Sequence, residues 1–175
     1  PSELVVHIEI TNWYGDMEIN HISAPQFVLY NEAGYVSFTN IEADTLQVSS
    51  TSGDITINSS YIPKISITSS SGYINLKQTV YLDCSLTAKS GEINVANAVS
   101  HGNLSLRTGS GDIGISYQDE PDSLTFDVAS GSEDLSVNFI NVDYKIETSA
   151  RKQGIIGNGE YQLTLNSDHG TIVIK

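Results

Sequence analysis

The sequence predicts an all-β protein, a single-stranded parallel β-solenoid of eight to nine rungs with 19–20 residues per rung. Three observations carry that prediction: a glycine returns at an almost constant interval, the same apolar frame surrounds each glycine, and the length suits one domain spanning residues 1–175. The glycines are Gly15, Gly34, Gly53, Gly72, Gly91, Gly111 and Gly131, spaced by 19, 19, 19, 19, 20 and 20, with one more at Gly170. Such a period is the mark of a repeat architecture.

Seven and five residues before the glycines stand Ile8 and Ile10, Phe27 and Leu29, Leu46 and Val48, Ile65 and Ile67, Cys84 and Leu86, Leu104 and Leu106, Leu124 and Phe126, and Leu163 and Leu165. Two and four residues after them stand Met17 and Ile19, Val36 and Phe38, Ile55 and Ile57, Ile74 and Leu76, Ile93 and Val95, Ile113 and Ile115, and Ile172 and Ile174. After Gly131 the frame slips by two, to Leu135 and Val137. One polar or small residue separates the members of each pair, which is the alternation of a strand with one buried face and excludes a helix.

From the inward position five before a glycine to the one two after it is an odd number of steps, so strict alternation cannot carry both inward. The chain must turn a corner there. Glycine tolerates the backbone of such a corner, and Ser52, Ser71, Ser90, Ser110 and Ser130 before it are turn formers. A repeat with two short strands cannot bury its own apolar side chains and must stack on its neighbours, roughly 4.8 Å per rung, giving a rod of roughly 40 Å. Ile55, Ile74, Ile93 and Ile113 are expected to form one buried vertical stack.

The third stretch of each rung carries Ile22, Ile41, Ile62, Val80 and Val99 at drifting offsets, which reads as a looser loop. Between Gly131 and Gly170, Tyr144, Ile146, Gly154 and Ile155, with extra residues around Arg151 and Lys152, read as an irregular penultimate rung. The alternating Leu4, Val6, Ile8, Ile10 start and the strand running to Lys175 read as uncapped, sticky ends. With Pro rather than Met at position 1, the chain reads as an excised or processed segment, leaving room for a membrane anchor upstream.

A net charge of −13 argues against nucleic acid or an anionic membrane as partner, since either would be repelled. All of that charge lies in residues 1–141, and residues 142–175 are neutral. At 39% hydrophobic and 17% charged residues the chain is a folded domain without a membrane-spanning run. The lone Cys84 excludes an internal disulfide, a Cys-based zinc site and a CxxC redox pair, and its place in an inward column makes it a core residue rather than a nucleophile.

The segments Ser52-Gly53-Asp54-Ile55, Ser90-Gly91-Glu92-Ile93-Asn94 and Ser110-Gly111-Asp112-Ile113 resemble the Ser-Gly-Asp-Ile repeats of bacterial adhesin-type families of unknown function, which include the autotransporter adhesin head GIN domain. Gly72-Tyr73-Ile74-Asn75 looks like the same element with Tyr in the acidic slot, and the similarity runs from Val6 to Ile174. At Gly34 and Gly131 the pattern departs, with Ala33 in place of the Ser and Ser132 in place of the acid. The resemblance implies a right-handed β-helix at the cell surface or in the envelope, without established catalysis.

The position after each glycine points outward and reads Asp16, Tyr35, Asp54, Tyr73, Glu92, Asp112, with Trp13, Tyr14 and Tyr30 near its first rungs. These nine residues form the candidate ligand surface, where rings stack on sugar faces and carboxylates accept hydroxyl hydrogen bonds. Turn chemistry is the competing reading, because Asp favours turns and Tyr between acids separates like charges. Gly109-Ser110-Gly111-Asp112 is reminiscent of calcium-binding turns, but one acid per 19-residue period supplies too few oxygens. His7, His21, His101 and His169 share no rung offset, so no metal or cofactor is expected.

The enzymatic alternative is a polysaccharide lyase or hydrolase, which needs acids and a base gathered in one cleft. Lys64, Lys77, Lys89 and Arg107 are instead scattered over rungs and offsets. A third alternative is a structural or oligomerising spacer. The residues three before the glycines, Asn12, Asn31, Ser50, Ser69, Ala88, Thr108, Val128 and Ser167, are mostly small or hydroxyl-bearing and are expected at the corner in a structural ladder. The column Thr11, Tyr30, Ser49, Thr68, Thr87, Arg107 is too uneven for ice binding. The expected function is a non-enzymatic adhesion or ligand-display module, its partner open between a glycan and another cell-surface protein.

Overall fold

Alternation and corners together build rungs of two strands, and the computed structural model describes residues 7–175 of them. In chain order the rungs pair β1 (Ile8–Asn12) with β2 (Met17–Asn20), β3 (Gln26–Asn31) with β4 (Val36–Thr39), β5 (Thr45–Ser50) with β6 (Ile55–Asn58), and β7 (Lys64–Ser71) with β8 (Ile74–Lys77). They continue with β9 (Asp83–Ser90) and β10 (Ile93–Ala98), then β11 (Asn103–Ser110) and β12 (Ile113–Tyr117). These six turns stack in parallel as a β-solenoid, first strands in one sheet and second strands in another. The register puts like on like: Ile55 lies beside Ile74, Ile74 beside Ile93 and Ile93 beside Ile113, all buried. Residues 1–6, including Leu4 and Val6, lie outside the described residues.

After β12 the chain leaves simple succession. Its remaining strands are β13 (Leu124–Ser130), β14 (Leu135–Val137), β15 (Val142–Glu147), β16 (Arg151–Ile156), β17 (Tyr161–Ser167) and β18 (Ile172–Ile174). The last rung, β17 and β18, sits between β11/β12 and β13/β14: Leu163 pairs with Leu104 on one side and with Phe126 on the other. Spacing explains the order. The last rung keeps the unslipped frame, so Leu163, Leu165, Ile172 and Ile174 fall in register with Leu104, Leu106, Ile113 and Ile115. The two residues of slip before β14, where Glu133 takes φ +61°, are accommodated in the outermost layer.

Residues 142–156 are therefore not an irregular rung. They form an antiparallel hairpin, β15 against β16, with β16 antiparallel to β13 at the end of the ten-stranded sheet. The hairpin covers the edge of β13, and β18 lies between β12 and β14, so the strand running to Lys175 is an inner one and not a sticky end, while β15, β14, β1 and β2 are the edge strands among the described residues. Phe126 meets Phe139 at 5.4 Å and Tyr144 at 5.8 Å between ring centroids, closing the core with aromatic surface. Arg151 bridges Asp127 in a bidentate pair, Nε to Oδ1 at 2.9 Å and Nη2 to Oδ2 at 2.7 Å. Lys152 approaches Glu147 at 3.8 Å.

The third stretch is a third wall rather than a loose loop. Ser23, Glu42, Tyr61 and Val80 form successive parallel bridges. The drifting apolar offsets are a volume exchange between two inward positions: Ile41 goes with Ala43, Ser60 with Ile62, and Thr79 with Tyr81, each side chain buried. A large residue at one position takes a small one at the other, which keeps the interior filled. Ile41 and Ile62 are core, whereas Ile22 and Val80 are exposed. A second corner follows each of β2, β4, β6, β8 and the regular part of β10, where His21, Asn40, Ser59, Gln78 and Asn97 take φ between 48° and 55°. Asn suits that left-handed backbone, and the others are held there by the neighbouring rungs.

Candidate functional site

Two surfaces carry the candidate residues. The first is the glycine corner. At Gly53, φ is +104° and a Cβ would lie on the Gly34 carbonyl, so backbone packs on backbone from rung to rung. The polar column beneath the corner is buried rather than merely at its edge: Asn12 Nδ2 donates to Asn31 Oδ1 at 2.7 Å, and Asn31 Nδ2 donates to Ser50 Oγ at 3.1 Å. Further along, Thr108 donates to the Gly91 carbonyl, Ser167 to that of Gly111 and Ser130 to that of Gly170. These bonds satisfy buried carbonyls that the turn leaves without a ladder partner.

The acids outside the same corner serve a matching purpose. Asp16 Oδ1 accepts the Tyr35 N–H at 2.9 Å, Asp54 Oδ1 accepts the Tyr73 N–H at 2.9 Å, and Asp112 Oδ1 accepts the Thr171 N–H at 2.7 Å. Each of these acids thus ties its rung to the next, which gives Asp at this position a structural cause, while the group bonded at Tyr35, Tyr73 and Thr171 is backbone. Glu92 is exposed beside Tyr73 on the neighbouring rung, and both Tyr35 and Tyr73 present rings to solvent on the side of the eight-stranded sheet.

The second surface is the outer face of the ten-stranded sheet. Trp13, 67% exposed, and Tyr30, 47% exposed, flank an open depression of about 400 Å³. Its remaining lining includes Thr11, Glu32, Ser49, Thr51 and Thr68, and Glu32 Oε2 accepts the Thr51 hydroxyl at 3.1 Å. Strand alternation places these side chains outward while Leu29, Val48 and Ile67 point inward. Of the nine candidate residues, the structure gathers Trp13 and Tyr30 in one depression, leaves Tyr14 exposed outside its lining, and puts the acid and Tyr column at the glycine corner.

A neighbouring depression of about 290 Å³ lies on the same face, lined by Lys64, Ser66, Asp83, Ser85, Asn103 and Ser105 among others. Ser66, Ser85 and Ser105 are not among the candidate residues of the sequence analysis, although a run of hydroxyls six residues before the glycine, Ser66, Ser85, Ser105, Thr125 and Thr164, is present from Gly72 onward.

Among the described residues no three His, Cys, Asp or Glu side chains gather to hold a metal ion. Cys84 is buried and its burial pushes the thiol pKa up, which disfavours the thiolate a nucleophile requires. Tyr81 is buried with its hydroxyl unpartnered, and desolvation, with the nearby Cys84 and Tyr117, raises its pKa. His101 stands 4.0 Å from Asp122 and edge-on to Tyr161, and lines neither depression.

No curated protein and no solved structure matches the chain. Apart from the antiparallel hairpin of residues 142–156, parallel rungs in two sheets run through the described strands from β1 to β18, and the model of one family covers the whole chain. That family is Toastrack DUF4097, matched over residues 1–175, and the chain belongs to it.

Proposed function

We propose that this chain is a non-enzymatic binding module of the cell surface or envelope, an adhesin-type domain that displays a glycan-binding depression between Trp13 and Tyr30. The observation that supports the reading is the pairing of two exposed aromatic rings with a lining of hydroxyls and one carboxylate, Glu32. Ring faces cover the apolar faces of sugars, and the polar lining exchanges hydrogen bonds with their hydroxyls. A glycosidase requires two carboxylates flanking the scissile bond, whereas this depression offers one, already bonded to Thr51. The acidic surface favours uncharged ligands over polyanions.

A glycan array probed with the wild-type domain and with Trp13→Ala and Tyr30→Ala tests the reading. Each alanine variant is expected to lose about tenfold or more in binding while retaining its fold. A wild-type domain that binds no glycan, or variants that bind as well as wild type, would overturn it. Cell fractionation of the native protein should place it in the envelope or the medium, and a cytosolic pool alone would remove the surface assignment.

A further inference from the structure

The two depressions on the outer face of the ten-stranded sheet lie end to end and together outline a shallow trough. They meet on β7, where Ser66 lines one and Thr68 the other, two residues apart and both pointing outward. From β1 through β3, β5, β7, β9 and β11 to β17 the sheet makes six rung-to-rung steps, about 29 Å at the usual strand spacing. That is far longer than a single sugar. Resting on the glycan-binding reading above, we propose that this trough holds an unbranched, uncharged, β-1,4-linked glycan several sugars long, running obliquely across the sheet from Trp13 to Gln162.

The floor repeats along that path. Ser49 and Thr68 are register partners on β5 and β7, and Ser66, Ser85, Ser105 and Thr164 are register partners on β7, β9, β11 and β17, each presenting a hydroxyl outward. A polymer that offers hydroxyls at each sugar meets a surface that offers one at each rung. The sheet also selects for shape: a β-1,4-linked chain is a flat ribbon that can follow a pleated face, whereas an α-1,4-linked chain coils away from it.

The far end is held rigid. Asn103 Nδ2 donates to Asp83 Oδ1 at 2.8 Å, and Asn103 Oδ1 accepts the Gln162 N–H at 3.0 Å, so this wall is ordered before a ligand arrives. Lys64 and Asp83 are register partners, so opposite charges stand side by side on this part of the floor. The net charge of −13 repels uronic or sulfated polymers.

Titration calorimetry with cello- and chito-oligosaccharides decides the matter. Affinity should rise about tenfold or more from disaccharide to hexasaccharide, because the longer chain reaches beyond Trp13 onto the hydroxyl floor. Ser85→Arg, at an exposed position remote from Trp13, should weaken the hexasaccharide about tenfold, leave the disaccharide unchanged and melt as wild type does. Equal affinity for both lengths, no effect of Ser85→Arg, or equal binding of a malto-hexasaccharide would overturn the trough while leaving the Trp13 depression standing. Failure of the wild-type domain to bind any glycan on the array would remove the binding reading itself.

Discussion

Ile74 sits at the middle of the stacked rungs, fully buried and paired in register with Ile55 and Ile93. Replacing it with Ala removes three carbons, about 2.4 kcal/mol at the usual value per buried methylene. The cavity left between two fixed rungs adds to that, since backbone hydrogen bonds on both sides prevent collapse, giving about 2–5 kcal/mol in all. For a chain of 175 residues this lowers Tm by about 4–20 °C. Ile22, 37% exposed on the third wall, is the matched control, and its Ala variant should move Tm by only about 2 °C. Ile74→Asp adds the cost of burying a carboxyl without partners, about 2–7 kcal/mol even when protonated, which together with the cavity approaches the whole stability of an ordinary domain. Thermal unfolding followed by circular dichroism reads all three variants. An Ile74→Ala protein melting within about 2 °C of wild type would refute the claim that like residues stacked on like hold the rungs together.

Gly53→Ala should destabilise by more than the 1–3 kcal/mol usual for a strained backbone, because its Cβ also displaces the Gly34 carbonyl in the rung below, and urea unfolding gives the value. Tyr81→Phe should leave stability unchanged or raise it, since it removes an unpartnered hydroxyl from the core; a clear loss would show that the hydroxyl is bonded after all. Burial raises the folded-state pKa of Tyr81 and Cys84 above their ordinary values of 10.0 and 9.0, so their contribution is complete below those values and falls as pH rises through them. Each group then costs about 1.4 kcal/mol per pH unit, and the double variant Tyr81→Phe, Cys84→Ser should flatten the alkaline decline seen in denaturant midpoints. Deleting residues 157–175 should abolish cooperative unfolding, because the segment removed is an inner layer with neighbours on both sides; a truncated chain that melts like the full one would contradict the strand order.

What could be read in advance was whatever the period determines. Glycine spacing and flanking pairs give the inward columns of both sheets from Ile8 to Ile115, because parallel stacking turns sequence periodicity directly into spatial contact. The third wall is not legible from offsets because its apolar residues trade places between two inward positions, so volume rather than offset is what repeats there. The insertion of β17 and β18 was illegible for a different reason. An unslipped frame at residues 161–174 is equally compatible with any neighbour of the same frame, and the choice between succession and insertion depends on where the slipped β14 layer can be accommodated. The hairpin of residues 142–156 was hidden because Val142, Tyr144 and Ile146 alternate like any rung strand, and alternation carries no information on parallel or antiparallel pairing.

The candidate site divides along the same line. Trp13 and Tyr30 could be singled out as exposed aromatics, yet their common depression depends on two columns of different offset meeting across neighbouring rungs. The acidic column, by contrast, was conspicuous because it repeats, and it repeats because Asp16, Asp54 and Asp112 each bind the backbone of the following rung. In a solenoid, then, an outward column that recurs because each member bonds the next layer is under the same stacking constraint as the core. Recognition is better sought among outward side chains that carry no such bond, the rings of Trp13 and Tyr30 and the hydroxyls of Ser66, Ser85, Ser105 and Thr164, since a side chain with no duty to the adjoining layer is free to serve a ligand.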